Sequence, residues 1–213
     1  MNIQSGVNPK QPTRRRRKEA RPAELIDAAV TLFIKNGYAS TRLQDVAALA
    51  GVSKATLYLY FENKEALFKA VISQGVVPML EEGAQLSADP HEDSATLIRQ
   101  ILKRWLTKFN ASPLGGIPKL MISEARNFPD LALYHEQTAY KRAREVLGQL
   151  VDRGIARGEF RPVDKSAVVE LLIAPLMMHL IWQHSMAACG CATIDPVSYM
   201  DTHLDLILAG LAR

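Results

Sequence analysis

The stretch from Thr41 to Phe61, TRLQDVAALAGVSKATLYLYF, leaves this chain few ways to fold. Thr41 followed by Gln44 has the spacing of a capping box, which predicts a helix from Arg42. Gly51, two turns on, can take the left-handed backbone that a tight helix exit needs. Ser53 then caps a second short helix, from Lys54 to about Tyr60. Ala47 is small enough for the two helices to cross closely, and Val46, Val52 and Leu57 can fill the space between them. This is the short-turn, two-helix arrangement of a helix-turn-helix, spanning residues 42–61.

The rest of the chain reads as helix as well. Leu25, Ile26, Ala29, Leu32 and Phe33 recur at the spacing of an amphipathic helix, with Pro22 suited to its first turn and Asn36-Gly37 ending it. Further helices are predicted from Asn63 into the eighties, over 94–111, over 117–127 and from Pro129 to Gly158. Asp164 is a candidate cap for a helix to about Ala187, and Asp195-Pro196 opens the last one. No segment shows strand alternation and no repeat of 20–50 residues is found, so the expected fold is all-α.

Charge divides the chain unevenly. Residues 1–21 hold Lys10, Arg14, Arg15, Arg16, Arg17, Lys18 and Arg21 against Glu19 alone. The remainder is close to neutral or mildly acidic. Such an arm points to a polyanion, and residues 1–19, with no apolar periodicity, are expected to be disordered. The longest apolar run, Ala167 to Trp182, contains Glu170 and His179 and is expected to be too short to span a bilayer. No apolar stretch follows the basic residues, so no secretory signal is expected, and no membrane partner. With Cys189 and Cys191 as the only cysteines, no disulfide framework is expected, which fits a cytoplasmic location.

In a helix-turn-helix the second helix enters the major groove with its N-terminal residues against base edges. Here these are Ser53, Lys54, Ala55 and Thr56. Lys54 and Thr56 can bond base edges or phosphate, and Ala55 can approach closely or meet a thymine methyl. Thr41, Arg42, Tyr58, Tyr60 and Lys64 would flank the groove and hold phosphates, and Arg14 to Arg17 would add contacts from the arm.

Residues 22–70 resemble the DNA-binding domain of TetR-family transcriptional regulators. The resemblance rests on Ala29, Leu32-Phe33, Gly37-Tyr38, Thr41, Val46-Ala47, Ala50-Gly51-Val52-Ser53, Thr56-Leu57-Tyr58, Tyr60-Phe61 and Asn63-Lys64-Glu65-Ala66-Leu67. Gly158 to Pro162 resembles a link that precedes the penultimate helix in that family. Glu124-Ala125-Arg126 with Phe128 to Leu131 is similar to regulators near the multidrug-efflux repressors. The resemblance implies an arm over 1–19, a DNA-binding domain of three helices over 20–70, and a larger helical ligand-binding and dimerisation domain over 71–213. It implies a homodimer through the last two helices, about 165–187 and 196–211, on a palindromic operator in double-stranded DNA. The helix at 165–187 is apolar nearly all round, which implies burial on every side. Val197, Met200, Leu204, Ile207, Leu208 and Leu211 form one stripe that could meet a second subunit, or could be core of a single one.

Trp105, Phe109, Met121, Phe128, Met177, Met178 and Trp182 are of the types that line adaptable apolar pockets. Glu124 and His179 could orient a polar or cationic effector there, if buried. Pro175 would kink its helix beside such a cavity. Cys189-Gly190-Cys191 lacks the spacing of a metal site, and no metal or other cofactor is expected. No nucleophile elbow, phosphate loop or paired ligand motif is present, so an enzyme is not expected. The expected function is a repressor released from DNA by a small apolar or amphipathic ligand. The alternative is a nucleoid or cell-cycle factor that uses the same DNA-binding unit to recruit a protein partner.

Overall fold

Short polar side chains start several of the helices. The Ser53 hydroxyl accepts the Thr56 amide, Asn63 the Ala66 amide, and Asp93 the Thr96 amide. Asp164 accepts from Ser166 and Ala167, and Asp195 from Ser198. Each satisfies amide donors that an uncapped first turn leaves open. The computed structural model describes the backbone of residues 14–213 and the side chains from Pro22 onward, and among them no strand occurs beyond a single bridge between Phe160 and Ala212.

The order is α1 (Arg14–Asn36), α2 (Leu43–Leu49), α3 (Lys54–Tyr58) and α4 (Lys64–Val71), which runs through a π-helical turn (Ile72–Val76) into α5 (Val77–Ser87). Then come α6 (Ser94–Asn110), a 3-10 turn (Pro113–Gly116), α7 (Ile117–Glu124), α8 (Pro129–His135), a second π turn (Glu136–Tyr140) and α9 (Lys141–Ala156). The chain ends with α10 (Lys165–Gln183) and α11 (Pro196–Leu211).

Helices α1 to α4 close around Leu25, Ala29, Phe33, Val46, Leu57, Leu67 and Phe68, all essentially without exposure. Gly51 leaves α2 at φ 65°, a conformation that costs glycine little, and Val52 then donates back to the Ala47 carbonyl. The later helices bury Ile98, Ile101, Trp105, Leu147, Leu150 and Leu172.

Several expectations are corrected here. Helix α1 begins at Arg14, not Pro22, so residues 14–19 of the expected arm are helical, while residues 1–13 lie outside the described part. Arg, Lys, Glu and Ala are strong helix formers, and the one carbonyl that Pro22 leaves unbonded does not stop them. Thr41 is not a cap: Arg42 occupies that position with no side-chain bond, and the Thr41 hydroxyl turns inward to the carbonyls of Gly37 and Leu32. On α11, Met200, Leu204, Leu208 and Leu211 pack inside the subunit, Val197 in the first turn is left half-exposed, and Leu206 faces outward. Helical spacing identifies a face but not what covers it.

Helix α10 also departs from its expected burial. It packs on α6, α7, α9 and α11, yet Leu171 (57% exposed) and Met178 (50%) stand open, with Trp182 partly so. By length and composition Lys165–Cys189 could cross a membrane, contrary to the expectation from the shorter run. Its inner face, Val168, Val169, Leu172, Ile173, Leu176 and Leu180, is that of a core helix.

Candidate nucleic-acid interface and interior cavity

Because Leu57 points into the core, the opposite face of α3 must point out. Ser53, Lys54, Ala55, Tyr58 and Leu59 are exposed, and Thr56 and Tyr60 are half-buried. The Ser53 and Thr56 hydroxyls lie 2.8 Å apart, so they share one hydrogen bond and present their remaining lone pairs together. The Lys54 ammonium sits 5.8 Å from the centre of the Tyr58 ring, a weak cation–π contact that leaves the amine accessible. Arg42 is exposed at the start of α2. These residues form one outward surface of hydroxyls, a cation, a phenol and small apolar groups, the chemistry that meets base edges and phosphates. Leu59, 82% exposed, belongs to this surface and is absent from the expected set. The same periodicity that buries Leu57 would have found it.

Two residues expected on phosphates have interior work instead. Thr41 is buried, its hydroxyl bonded as described. Lys64 donates to the carbonyls of Tyr38 (2.7 Å), Ala39 (3.0 Å) and Thr41 (3.1 Å) and lies over the Tyr38 ring. The side chains of Arg14, Arg15, Arg16 and Arg17 lie outside the described residues.

The turn that Lys64 grips is held from its other side by Glu124 of α7. One carboxylate oxygen of this buried side chain accepts the amides of Tyr38 (3.0 Å) and Ala39 (3.3 Å). Gly37, at φ 83°, allows the approach: a Cβ there would stand 3.0 Å from that oxygen. Tyr38 seals the turn edge-on to Phe68 and Phe128, beside Phe33. Burial and the nearby carboxylates of Glu65 and Glu124 push its phenol up to about 12, so it stays neutral. Glu124, expected to orient an effector, is thus a tie between the two halves of the chain, and Phe128 is part of the same junction.

Trp105, Phe109 and Met177 do line an interior cavity of about 50 Å³, with Val76, Leu80, Leu114, Ile117 and Pro118 among its walls. Met121 is buried outside it. Met178, His179 and Trp182 line a separate outer groove with Ile194 and Tyr199. There His179 is 3.2 Å from the Asn110 amide oxygen.

His135, just before the second π turn, and Tyr140, its last residue, also wall the cavity and were not singled out by the sequence. Burial pushes His135 down to about 4, so it is neutral at physiological pH. The Tyr140 hydroxyl donates to Glu170, which also pairs with Arg144. Glu170 is thus held between Tyr140 and Arg144. Among the described residues no group of three or more His, Cys, Asp or Glu is placed to hold a metal.

This chain matches the family model described as bacterial regulatory proteins, tetR family, over residues 25–71, and the tetracyclin repressor-like C-terminal domain over residues 90–189. It is 28% identical over 156 residues to the uncharacterized HTH-type transcriptional regulator YfiR of Bacillus subtilis, covering 71% of this chain and 74% of that protein. It is 38% identical over 87 residues to the fatty acid metabolism regulator protein of the same organism, where the match spans 38% of this chain and 44% of that protein. In fold it is similar to FadR of Bacillus subtilis solved with stearoyl-CoA, with a TM-score of 0.76, 20% identity, and 89% and 98% of the two chains covered. The SmeT–triclosan complex gives a TM-score of 0.76 at 21% identity, over 91% and 92% of the chains.

The depressed His135 predicts an acid sensitivity. Between about pH 6.5 and 4 the unfolded chain binds a proton that the folded chain refuses, so stability falls as pH drops through that window. The loss attributable to His135 by pH 4.5 is about 2 to 3 kcal/mol. Urea denaturation at pH 7.5 and 4.5 checks it: His135→Leu should lose less stability on acidification than the parent. Equal losses would contradict the assignment.

Proposed function

We propose, from the premise that the chain belongs to the TetR family of DNA-binding transcriptional regulators, that it is a cytoplasmic homodimeric repressor released from a palindromic operator by a small apolar or amphipathic effector. The observation that carries the effector reading is the position of α7. Ile117 and Pro118, at one end of this helix, wall the interior cavity. Glu124, at the other end, holds the turn that leads into α2 and α3. A ligand that enlarges the cavity moves α7, and the helix-turn-helix follows. By linkage the effector then weakens DNA binding as much as DNA weakens effector binding, about 1 to 3 kcal/mol in such systems. Similar proteins solved with stearoyl-CoA and with triclosan favour an apolar or amphipathic effector in this fold.

On this reading residues 20–70 form the DNA-binding unit, and 71–213 the effector-binding and dimerisation unit. Ser53, Lys54, Ala55 and Thr56 read bases; Arg42, Tyr58 and Tyr60 hold phosphates; and Arg14 to Arg17 add to the electrostatic attraction. The apolar space that α7 borders favours an effector over the recruitment of a protein partner. Dimerisation uses the outward face of α10, where Leu171, Met178 and Trp182 follow one another at helical spacing, together with α11, where Leu206 is exposed. Two-fold symmetry then sets two recognition helices on two half-sites.

Fluorescence anisotropy with DNA from upstream of the protein's own gene tests the reading. A preference of about a thousandfold or more over a shuffled control is expected. Lys54→Ala should change the relative affinities among related sequences, by about 1 to 3 kcal/mol at the base it reads. Equal losses on specific and random DNA would assign Lys54 to phosphate. Equal, steeply salt-dependent binding of the parent to both DNAs would contradict an operator there.

Leu171→Glu buries a carboxylate in the proposed subunit interface. Sedimentation should find it monomeric where the parent is dimeric, with operator affinity down by about tenfold or more. A dimer that survives the substitution would move the interface elsewhere.

A further inference from the structure

The interior cavity, at about 50 Å³, has room for little more than a water molecule or two, far below what an organic ligand fills. A second space of about 390 Å³ lies next to it, in the cleft between α1, the π turn that follows α4, and the 3-10 turn before α7. The two share one wall. Leu114 lines both, and it is nearly buried between them. It lies flat against Gly75, where a Cβ would stand 3.1 and 3.2 Å from its two methyl groups. Only the missing side chain at residue 75 gives Leu114 its resting place. Its backbone is held by a short turn, the Leu114 amide donating to the Ser112 hydroxyl, and its side chain already borders open space.

The cleft has a graded lining. Ala23, Ile26, Val30 and Pro113 make it apolar next to Leu114, and Thr31, Gln74 and Ser112 give its rim hydrogen-bonding groups. Asp27 is the one ionisable side chain in that lining, it is exposed, and among the described residues no cation pairs with it. The cavity beyond Leu114 offers no charge of its own, with Trp105, Phe109, Leu176 and Met177 around it.

We infer that Leu114 is a door, and that cavity and cleft together form one site for a linear cationic amphiphile. The apolar tail displaces Leu114 and enters beside Trp105, and the ammonium stays in the cleft against Asp27. Resting on the effector reading above, this names the chemical class of the effector and the route it takes. It also supplies the lever. A tail across Leu114 presses on the π turn that continues α4, and the head touches α1, so one molecule contacts both helices that frame the DNA-binding unit. Helix α1 and the 3-10 turn fit closely here, since a Cβ on Gly116 would stand 2.7 Å from Ile34, and a wedge at Leu114 loosens that fit.

The probes are decylamine, decanol and decanoate, each below its micelle concentration at pH 7.5, titrated against Trp105 emission in a Trp182→Phe background. Decylamine should bind saturably, and about tenfold more tightly than decanoate. Asp27→Asn should abolish that preference and leave decanol unchanged. Leu114→Ala should speed the association of all three in stopped flow. Equal affinity for the amine and the acid, a preference that survives Asp27→Asn, or unchanged association rates in Leu114→Ala would overturn the door and its cation, while saturable binding would leave the effector reading standing. If none of the three perturbs Trp105, the proposed site fails, and the effector reading is judged separately, by whether Glu124→Ala alters operator affinity.

Discussion

One turn, Gly37 to Thr41, is held between two opposite charges from distant parts of the chain. Glu124 takes its amides and Lys64 takes its carbonyls, so the peptide dipoles of the turn stand in for a direct salt bridge. Hydrogen bonds to charged groups are worth about 1.5 to 3 kcal/mol each, and removing one partner leaves the other uncompensated. The turn leads directly into α2, and α2 carries α3. The outward face of Ser53, Lys54 and Thr56 therefore inherits its orientation from a carboxylate on α7. Tyr38, packed against Phe33, Phe68 and Phe128, keeps water from competing for those bonds.

The same arrangement explains why a small cavity matters. Helix α7 is only two turns long, and it has the cavity wall at one end and the clamp at the other. A short helix packed at both ends transmits a shift more readily than it bends, because close-packed interiors resist compression. Both π turns border this cavity, through Val76 and through Tyr140. Each inserts an extra residue into a helix, a feature often found at functional sites.

Local features were legible in the sequence. The caps at Ser53, Asp164 and Asp195, the left-handed exit at Gly51 and the core positions Val46, Ala47 and Leu57 follow from spacing and side-chain chemistry within a few residues. What the sequence misplaced depends on partners far along the chain. Glu124 and Tyr38 are 86 residues apart, and nothing near Glu124 distinguishes a tie from a ligand contact. Lys64 has the charge of a phosphate contact and the position of one, but its ammonium folds back onto three carbonyls. The stripe on α11 was found, but its direction was not, since periodicity names a face and tertiary packing decides what meets it. His135 carries no local sign of burial at all.

The account turns on the clamp, and DNA affinity tests it most directly. Duplexes selected from a random pool by the parent protein serve as the operator, and Glu124→Ala is compared with the parent by anisotropy, with circular dichroism to follow the fold. The account predicts that the variant stays helical and keeps its non-specific, salt-dependent binding, but loses specific affinity by about tenfold or more. A folded variant with undiminished affinity for the selected DNA would contradict it, because the recognition helix would then hold its place without α7.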